Sequence, residues 1–144
     1  AGVTVAAPLG PDPRLVPVLA ARLAEAGVPT GTPVVLAAAG SSDPRAAVDT
    51  GRQAALLAAR LAAPVVPAFV TAARPTVDEA VAALAHQAGR PVAVATYLLA
   101  PGIFHDRLRR TGASWVTAPL GDQPGLARLV AARFRETVSC ARAA

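Results

Sequence analysis

Few side chains in this sequence can ligate a metal, move a proton or attack a carbon. There are two histidines and one cysteine among 144 residues. His105 stands beside Asp106, and it is the only histidine next to a carboxylate. Such a pair suits metal ligation or acid–base work. Adjacent helical residues diverge by about 100°, however, so the two do not face each other by sequence proximity. A surface or capping histidine is the alternative. His86, beside Gln87 near a helix end, reads as structural or solvated. Neither histidine has the other at ligand spacing, which argues against a protein-only zinc site. Cys140 alone makes neither an internal disulfide nor a CxxC metal site. Ser41 or Ser42 as a nucleophile would need a histidine base and a Gly-x-Ser-x-Gly elbow, and the sequence has neither.

Gly40-Ser41-Ser42-Asp43-Pro44 admits two readings. It is either a turn and helix cap, or a loop that offers helix N-terminal amides to an anion. It is not GxGxxG, and no lysine follows to make it a P-loop. Asp43-Pro44 has the form of an N-cap followed by proline at the first helical position.

The elements around these residues alternate. Strand-like runs fall at Val3–Ala7, Pro33–Ala39, Val65–Val70, Val92–Leu98 and Ser114–Ala118. They are short, β-branched and almost continuously apolar, as parallel strands buried on both faces are. Helical patterns fall at Leu15–Ala26, Pro44–Leu61, Val77–Ala88, Ile103–Arg110 and Leu126–Ala141, with Gly27 and Gly89 where helix C-terminal glycines belong. In the second helix, Ala47, Val48, Gly51, Ala54, Ala55 and Ala58 form a small apolar face suited to close packing on a sheet. The βαβα order predicts an α/β fold: a three-layer α/β/α sandwich with a mainly parallel sheet. Ligands in such sheets sit beyond the carboxyl ends of the strands. Those ends carry Gly40–Asp43, Thr71, Tyr97 with the following Leu98–Gly102, and Pro119–Gly121.

Composition narrows the function classes. Hydrophobic residues make up 53% of the chain but aromatics only 3%, so Ala, Val and Leu must build the core. All 14 basic residues are arginine, and the net charge is +5. Apart from Arg107-Arg109-Arg110 and Arg133-Arg135 they are scattered, with no interleaved aromatics, which argues against nucleic-acid binding. A mildly positive field also suits a small anionic ligand. No apolar run reaches the roughly 18–20 residues of a membrane span, and no signal peptide is visible. The expected location is therefore the cytoplasm, with no membrane partner.

The chain also repeats itself. Val5-Ala6-Ala7-Pro8-Leu9-Gly10 returns as Val116-Thr117-Ala118-Pro119-Leu120-Gly121. From Val5 to Glu25 the two stretches share 11 of 21 positions at a constant offset of 111 residues. This predicts a tandem duplication, with the same strand–turn–helix shape and the same Pro-Leu-Gly turn in both copies. On this reading residues 1–28 are the last strand–helix unit of a truncated first repeat. Residues 29–144 are then a complete second repeat, and Pro29–Pro33 links the two. The Val3–Ala7 strand, left without its sheet, should pair with another chain or with its own sheet.

Five features in this order carry a resemblance. They are Gly40-Ser41-Ser42-Asp43-Pro44 after a strand, Ala68-Phe69-Val70 ending the next, and Pro75-Thr76-Val77-Asp78-Glu79-Ala80 opening a helix. Tyr97-Leu98-Leu99-Ala100-Pro101-Gly102 and Ala118-Pro119-Leu120-Gly121 complete the set. Together they resemble the class II chelatases of the sirohydrochlorin chelatase type, over roughly Pro33 to Val138. The resemblance implies a chelatase-like fold and a lyase that inserts cobalt or iron(II) into a tetrapyrrole for cobalamin or sirohaem synthesis. The metal would be a substrate, with no tightly bound cofactor. It implies Gly40, Ser41, Ser42, Asp43, Thr71, Tyr97, Gly102 and His105 as substrate-binding candidates, with Arg107 or Arg109 and the Ser41–Asp43 amides meeting the ligand's carboxylates.

The family's histidine positions are occupied by Ala39 and Phe104, and Thr71 lies nearest where some members carry a glutamate. Ala and Phe supply no lone pair to a metal. The implied reading is a second half that walls the cleft, with no metal ligand except the candidate His105. By itself it should be inactive, and its partner would be the missing first half or a second copy. The alternative is a non-catalytic packing or interaction module derived from such a half.

Overall fold

The computed structural model describes residues 2–143. Four strands form one parallel sheet: β1 (Val34–Ala38), β2 (Val65–Phe69), β3 (Ala93–Tyr97) and β4 (Trp115–Val116). Five helices flank it: α1 (Leu15–Glu25), α2 (Pro44–Leu61), α3 (Val77–Ala88), α4 (Ile103–Leu108) and α5 (Pro124–Ala143). The expected α2 and α3 bounds are met in full. Strand and helix ends elsewhere shift by at most two residues, α4 stops at Leu108, and β4 shrinks to two residues.

The layers follow from the pleat. Val34 and Leu36 point to one face, where they pack with Leu15, Leu19 and Leu23 of α1, Leu57 of α2, and Leu126 and Leu129 of α5. Val35 and Ala37 point to the other face, against Val77, Val81 and Leu84 of α3 and Leu108 of α4. All five β1 residues are buried, as two covered faces require. The three-layer α/β/α sandwich is therefore observed.

The sheet order is β2-β1-β3-β4. From β1 the chain moves to β2 on one side, then crosses back to β3 on the other. α2 covers the first face and α3 the second, as the reversal requires under right-handed crossovers. The direction changes between β1 and β3, so the crevice at their carboxyl ends is the natural ligand position.

Local signals act as read. Asp43 caps α2, its carboxylate accepting from the Arg45 backbone N–H at 2.9 Å, with Pro44 next. Thr76 and Glu79 close a capping box on α3. Gly27 and Gly89 take left-handed φ of +71° and +62° after their helices.

Three expectations are corrected. Val3–Ala7 forms no strand; the segment runs along α5, where Arg133 donates to the Pro8 carbonyl, and Val3 and Val5 stay 93% and 87% exposed. A strand needs a neighbour to accept its ladder. Ser114 and Thr117 find β3, at Val92 and Val94, whereas no described strand lies beside Val3–Ala7. The two Pro-Leu-Gly turns also differ. Gly121 adopts φ +52°, while Gly10 does not take positive φ and joins Pro11 through a cis peptide. Both lead into helices, α1 and α5, so the helical half of the repeat is shared.

Third, α2 buries Thr50, Gln53, Ala54 and Leu57, while Val48 is 55% exposed and Ala55 lies at the surface. The buried stripe is centred on Leu57, whose side chain removes more apolar area from water than an alanine does, and it keeps only Ala54 of the small-residue face fully buried. In addition, the Gln53 side-chain oxygen accepts from the Asp12 backbone N–H at 2.8 Å.

Candidate functional site

The carboxyl ends of β1, β2 and β3 lie side by side because their registers match. Ala38 is level with both Phe69 and Tyr97. Pairing continues two residues further on one side, Val70 and Thr71 donating to the Ala38 and Ala39 carbonyls at 2.9 Å each. Gly40 and Thr71 are thereby pressed together. Gly40 sits at φ +98°, and a Cβ there would overlap the Thr71 carbonyl oxygen. Ala72 beside it holds φ +60°, a strained region for a residue with a side chain. The close backbone approach makes this corner rigid.

Ser41, Ser42 and Asp43 follow Gly40 into α2. The polar groups of Ser41 and Asp43 are already engaged. Ser41 Oγ accepts from the Asp43 N–H at 3.1 Å, and the Asp43 carboxylate binds both the backbone and the guanidinium of Arg45. The Arg45 hydrogen bonds hold the Asp43 carboxyl below the ordinary carboxylate range. An ionised Asp43 puts a negative charge at the amides that were expected to meet ligand carboxylates.

Tyr97 ends β3 and is the single tyrosine of the chain. Burial pushes its phenol up to about 12, with the charges of Asp49 and Asp12 adding to the effect. It is therefore a neutral hydroxyl at physiological pH. Its ring packs over Gly10, where a Cβ would collide with the Tyr97 hydroxyl. Leu98 and Leu99 come next, and with Leu9, Leu15, Leu120 and Leu126 they line an apolar hollow of about 260 Å³.

Gly102 opens α4, fully extended. His105, in the first turn of the helix, is half-buried, and its Nε2 lies 3.2 Å from the Thr117 carbonyl. A carbonyl only accepts, so Nε2 is the donor in this contact, and the matching neutral tautomer carries its lone pair on Nδ1. The same carbonyl accepts from the Thr96 hydroxyl at 2.7 Å, and Thr117 Oγ1 accepts from the Thr96 N–H at 2.9 Å. His105 is thus tied to the β3–β4 seam. Arg107 and Arg109 are exposed, and among the described residues neither forms an ion pair.

Among the described residues, no three of His, Cys, Asp and Glu gather as a metal cluster. Ala39 follows β1 and Phe104 lies in α4, and neither side chain has a donor atom. Calorimetry with anaerobic cobalt or iron(II) should therefore show no stoichiometric binding of micromolar or tighter affinity. Tight binding abolished by His105→Ala would instead identify His105 Nδ1 as a ligand.

Sequence reading missed one part of this region. Arg22, Arg133, Asp12 and Gln53 knit the two Pro-Leu-Gly turns to the core. The repeat carried the signal, since Arg22 and Arg133 are among its identities. No described helix is long and apolar enough to cross a membrane.

The CbiX family model matches residues 33–137. A structure of SirB from Bacillus subtilis with Fe3+ superposes with a TM-score of 0.85 at 27% identity, over 97% of this chain and 60% of that one. A crystal structure of the sirohydrochlorin chelatase SirB from Bacillus subtilis subspecies spizizenii, in complex with cobalt, gives 0.73 at 24% identity. It covers 93% of this chain and 54% of that one, and it speaks for the fold alone. The chain therefore spans less than two thirds of the solved chains it matches. No curated protein sequence matches significantly. The resemblance to chelatases of the sirohydrochlorin type is borne out, and the chain belongs to the CbiX family.

Proposed function

We propose that this chain is the C-terminal part of a sirohydrochlorin chelatase-like lyase that inserts cobalt or iron(II) into a tetrapyrrole for cobalamin or sirohaem synthesis. The observation that carries the reading is the family match over 33–137 together with the likeness to SirB. Insertion exchanges two pyrrole N–H protons for a divalent ion, so the protein must hold the macrocycle, accept protons and admit the metal. This half does the holding. Ala39 and Phe104 offer no donors, the Tyr97 phenol stays neutral, and the Tyr97–Leu99 hollow presents apolar wall. Arg107 and Arg109 are free to meet ligand carboxylates with charge-assisted hydrogen bonds. Gly40, Thr71 and Gly102 shape the rim through their backbones.

The 111-residue repeat supports a preceding half of the same kind, or a second copy, as the partner that supplies proton-accepting and metal-binding groups. The absence of a ligand cluster among the described residues favours a second reading, a non-catalytic packing module derived from a chelatase half.

Visible absorption separates the two readings. Sirohydrochlorin is mixed anaerobically with cobalt or iron(II), and the spectral shift is followed with the full reading frame, with this chain alone, and with neither. The proposed function expects acceleration by the full reading frame and none by the chain alone. A full reading frame no faster than buffer would leave the packing module.

A further inference from the structure

Arg22 and Arg133 stand at the repeat offset, and each grips the other copy's turn. Arg22 Nε donates to the Pro119 carbonyl at 2.7 Å, and Arg133 Nε donates to the Pro8 carbonyl at 2.9 Å. Each also anchors a terminal nitrogen on the glutamate three residues on in its own helix, Glu25 at 2.7 Å and Glu136 at 3.0 Å. The remaining nitrogen of each reaches an aspartate just past the opposite turn, Asp122 at 3.2 Å and Asp12 at 2.8 Å. Arg22 further donates to the Leu120 carbonyl at 3.1 Å. The two arginines are only 14% and 15% exposed. Reciprocal contacts between equivalent residues are the pattern of a local two-fold relation between α1 and α5. Long side chains held this far out of water lose rotamer freedom, and the planar guanidinium offsets that cost with several directed bonds.

Both gripped turns abut the loop after β3. Leu120 and Gly121 donate to the Leu98 and Leu99 carbonyls at 2.8 Å each. On the other side the Tyr97 ring sits against Gly10. The hollow between the turns is lined in matching pairs, Leu9 with Leu120 and Leu15 with Leu126.

We propose that Arg22 and Arg133 are positioning residues that hold the Tyr97–Leu99 segment from both sides and so shape the wall it offers to the macrocycle. The macrocycle clause rests on the proposed function; the clamp rests on the geometry alone.

The test uses Arg22→Gln, Arg133→Gln and the two lysine variants, which keep the charge and lose the fork. In Arg22→Gln, amide exchange at Leu120 and Gly121 should accelerate at least about tenfold while β1 amides keep their rates, the signature of local rather than global opening. In Arg133→Gln, the phenolate absorbance of the lone tyrosine should titrate about one unit lower, toward the ordinary phenol value near 10, as Gly10 and Asp12 loosen around Tyr97. The lysine variants should fall between, and they serve if a glutamine variant does not fold. In the full reading frame, Arg22→Gln should raise KM for the tetrapyrrole several-fold and leave kcat within about twofold.

Uniform acceleration of exchange across β1 and the turn, an unmoved tyrosine titration or an unchanged KM would each overturn the proposal. If the unsubstituted reading frame inserts no metal, the proposed function fails, and exchange and titration still decide the clamp.

Discussion

Gly40→Ala is expected to cost about 3–5 kcal/mol of stability. Two penalties combine. The residue holds φ +98°, where a side chain is strained, and its new Cβ would overlap a backbone oxygen, that of Thr71. A flexible side chain could swing away, but the Thr71 carbonyl cannot. Its own N–H is bonded to the Ala39 carbonyl, and Ala73 N–H donates to its oxygen at 2.8 Å. The ends of β1 and β2 would have to part. For a chain of this length the loss corresponds to a fall in Tm of roughly 10–15 °C, read by thermal or urea denaturation. Gly51→Ala is the control: nothing lies within 4 Å of its added Cβ inside α2, so it should gain about 0.5–1 kcal/mol. A Gly40→Ala Tm within about 3 °C of the parent would show that this corner yields easily, and the rigid-rim account of the site would fall with it.

Asp12→Ala is expected to cost about 3–4 kcal/mol at neutral pH. Asp12 is 6% exposed, and its carboxylate accepts from the Arg14 backbone, from the Arg14 guanidinium at 3.0 and 2.9 Å, and from Arg133 at 2.8 Å. Without the carboxylate, Arg14 can turn to solvent, being 46% exposed, but Arg133 at 15% cannot. The same group makes stability acid-sensitive. The Arg14 hydrogen bond, helped by the Arg14 backbone N–H and by Arg133, holds the Asp12 carboxyl at about 2, against 3.8 for the free group. The folded value is depressed, so its contribution of about 2 kcal/mol is fully present above roughly pH 4 and is lost as pH falls through about 2. Urea denaturation of parent and variant at a series of pH values should therefore show the gap between them narrowing by about 2 kcal/mol as pH falls from 4 through about 2. A gap that stays constant down to pH 2 would mean that the Asp12 charge does not carry the effect.

Much of the fold was legible because its signals are local. Continuous β-branched runs marked β1, β2 and β3, and Asp43-Pro44 and Gly89 set helix ends through caps that need only near neighbours. The spacing of motifs along β1, β2 and β3 also carried the family, since parallel strands of equal register bring Gly40, Thr71 and Tyr97 to one edge whatever lies between them. Val3–Ala7 shows where that logic stops. It matches the β4 region residue for residue in its Pro-Leu-Gly ending, yet β structure is a property of a pair, and no described strand is there to complete it. The buried face of α2 was equally open. Two stripes satisfy helical period, and a hydrogen bond from Asp12 to Gln53, 41 residues apart, lies on one of them.

The order of elements, the layer type and the family were thus set by the chain's own local chemistry, whereas the switch point followed from the sheet order. The repeat predicted likeness between residues 5–25 and 116–136, but not that the two copies would grip each other. Arg22 at Pro119 and Arg133 at Pro8 span 97 and 125 residues. His105 is turned to the Thr117 carbonyl, and Asp43 keeps its own helix amides occupied. Contacts of this kind depend on where α1, α4 and α5 come to rest on the sheet. No neighbour in sequence encodes that placement, because it emerges only when distant apolar faces close on a shared core.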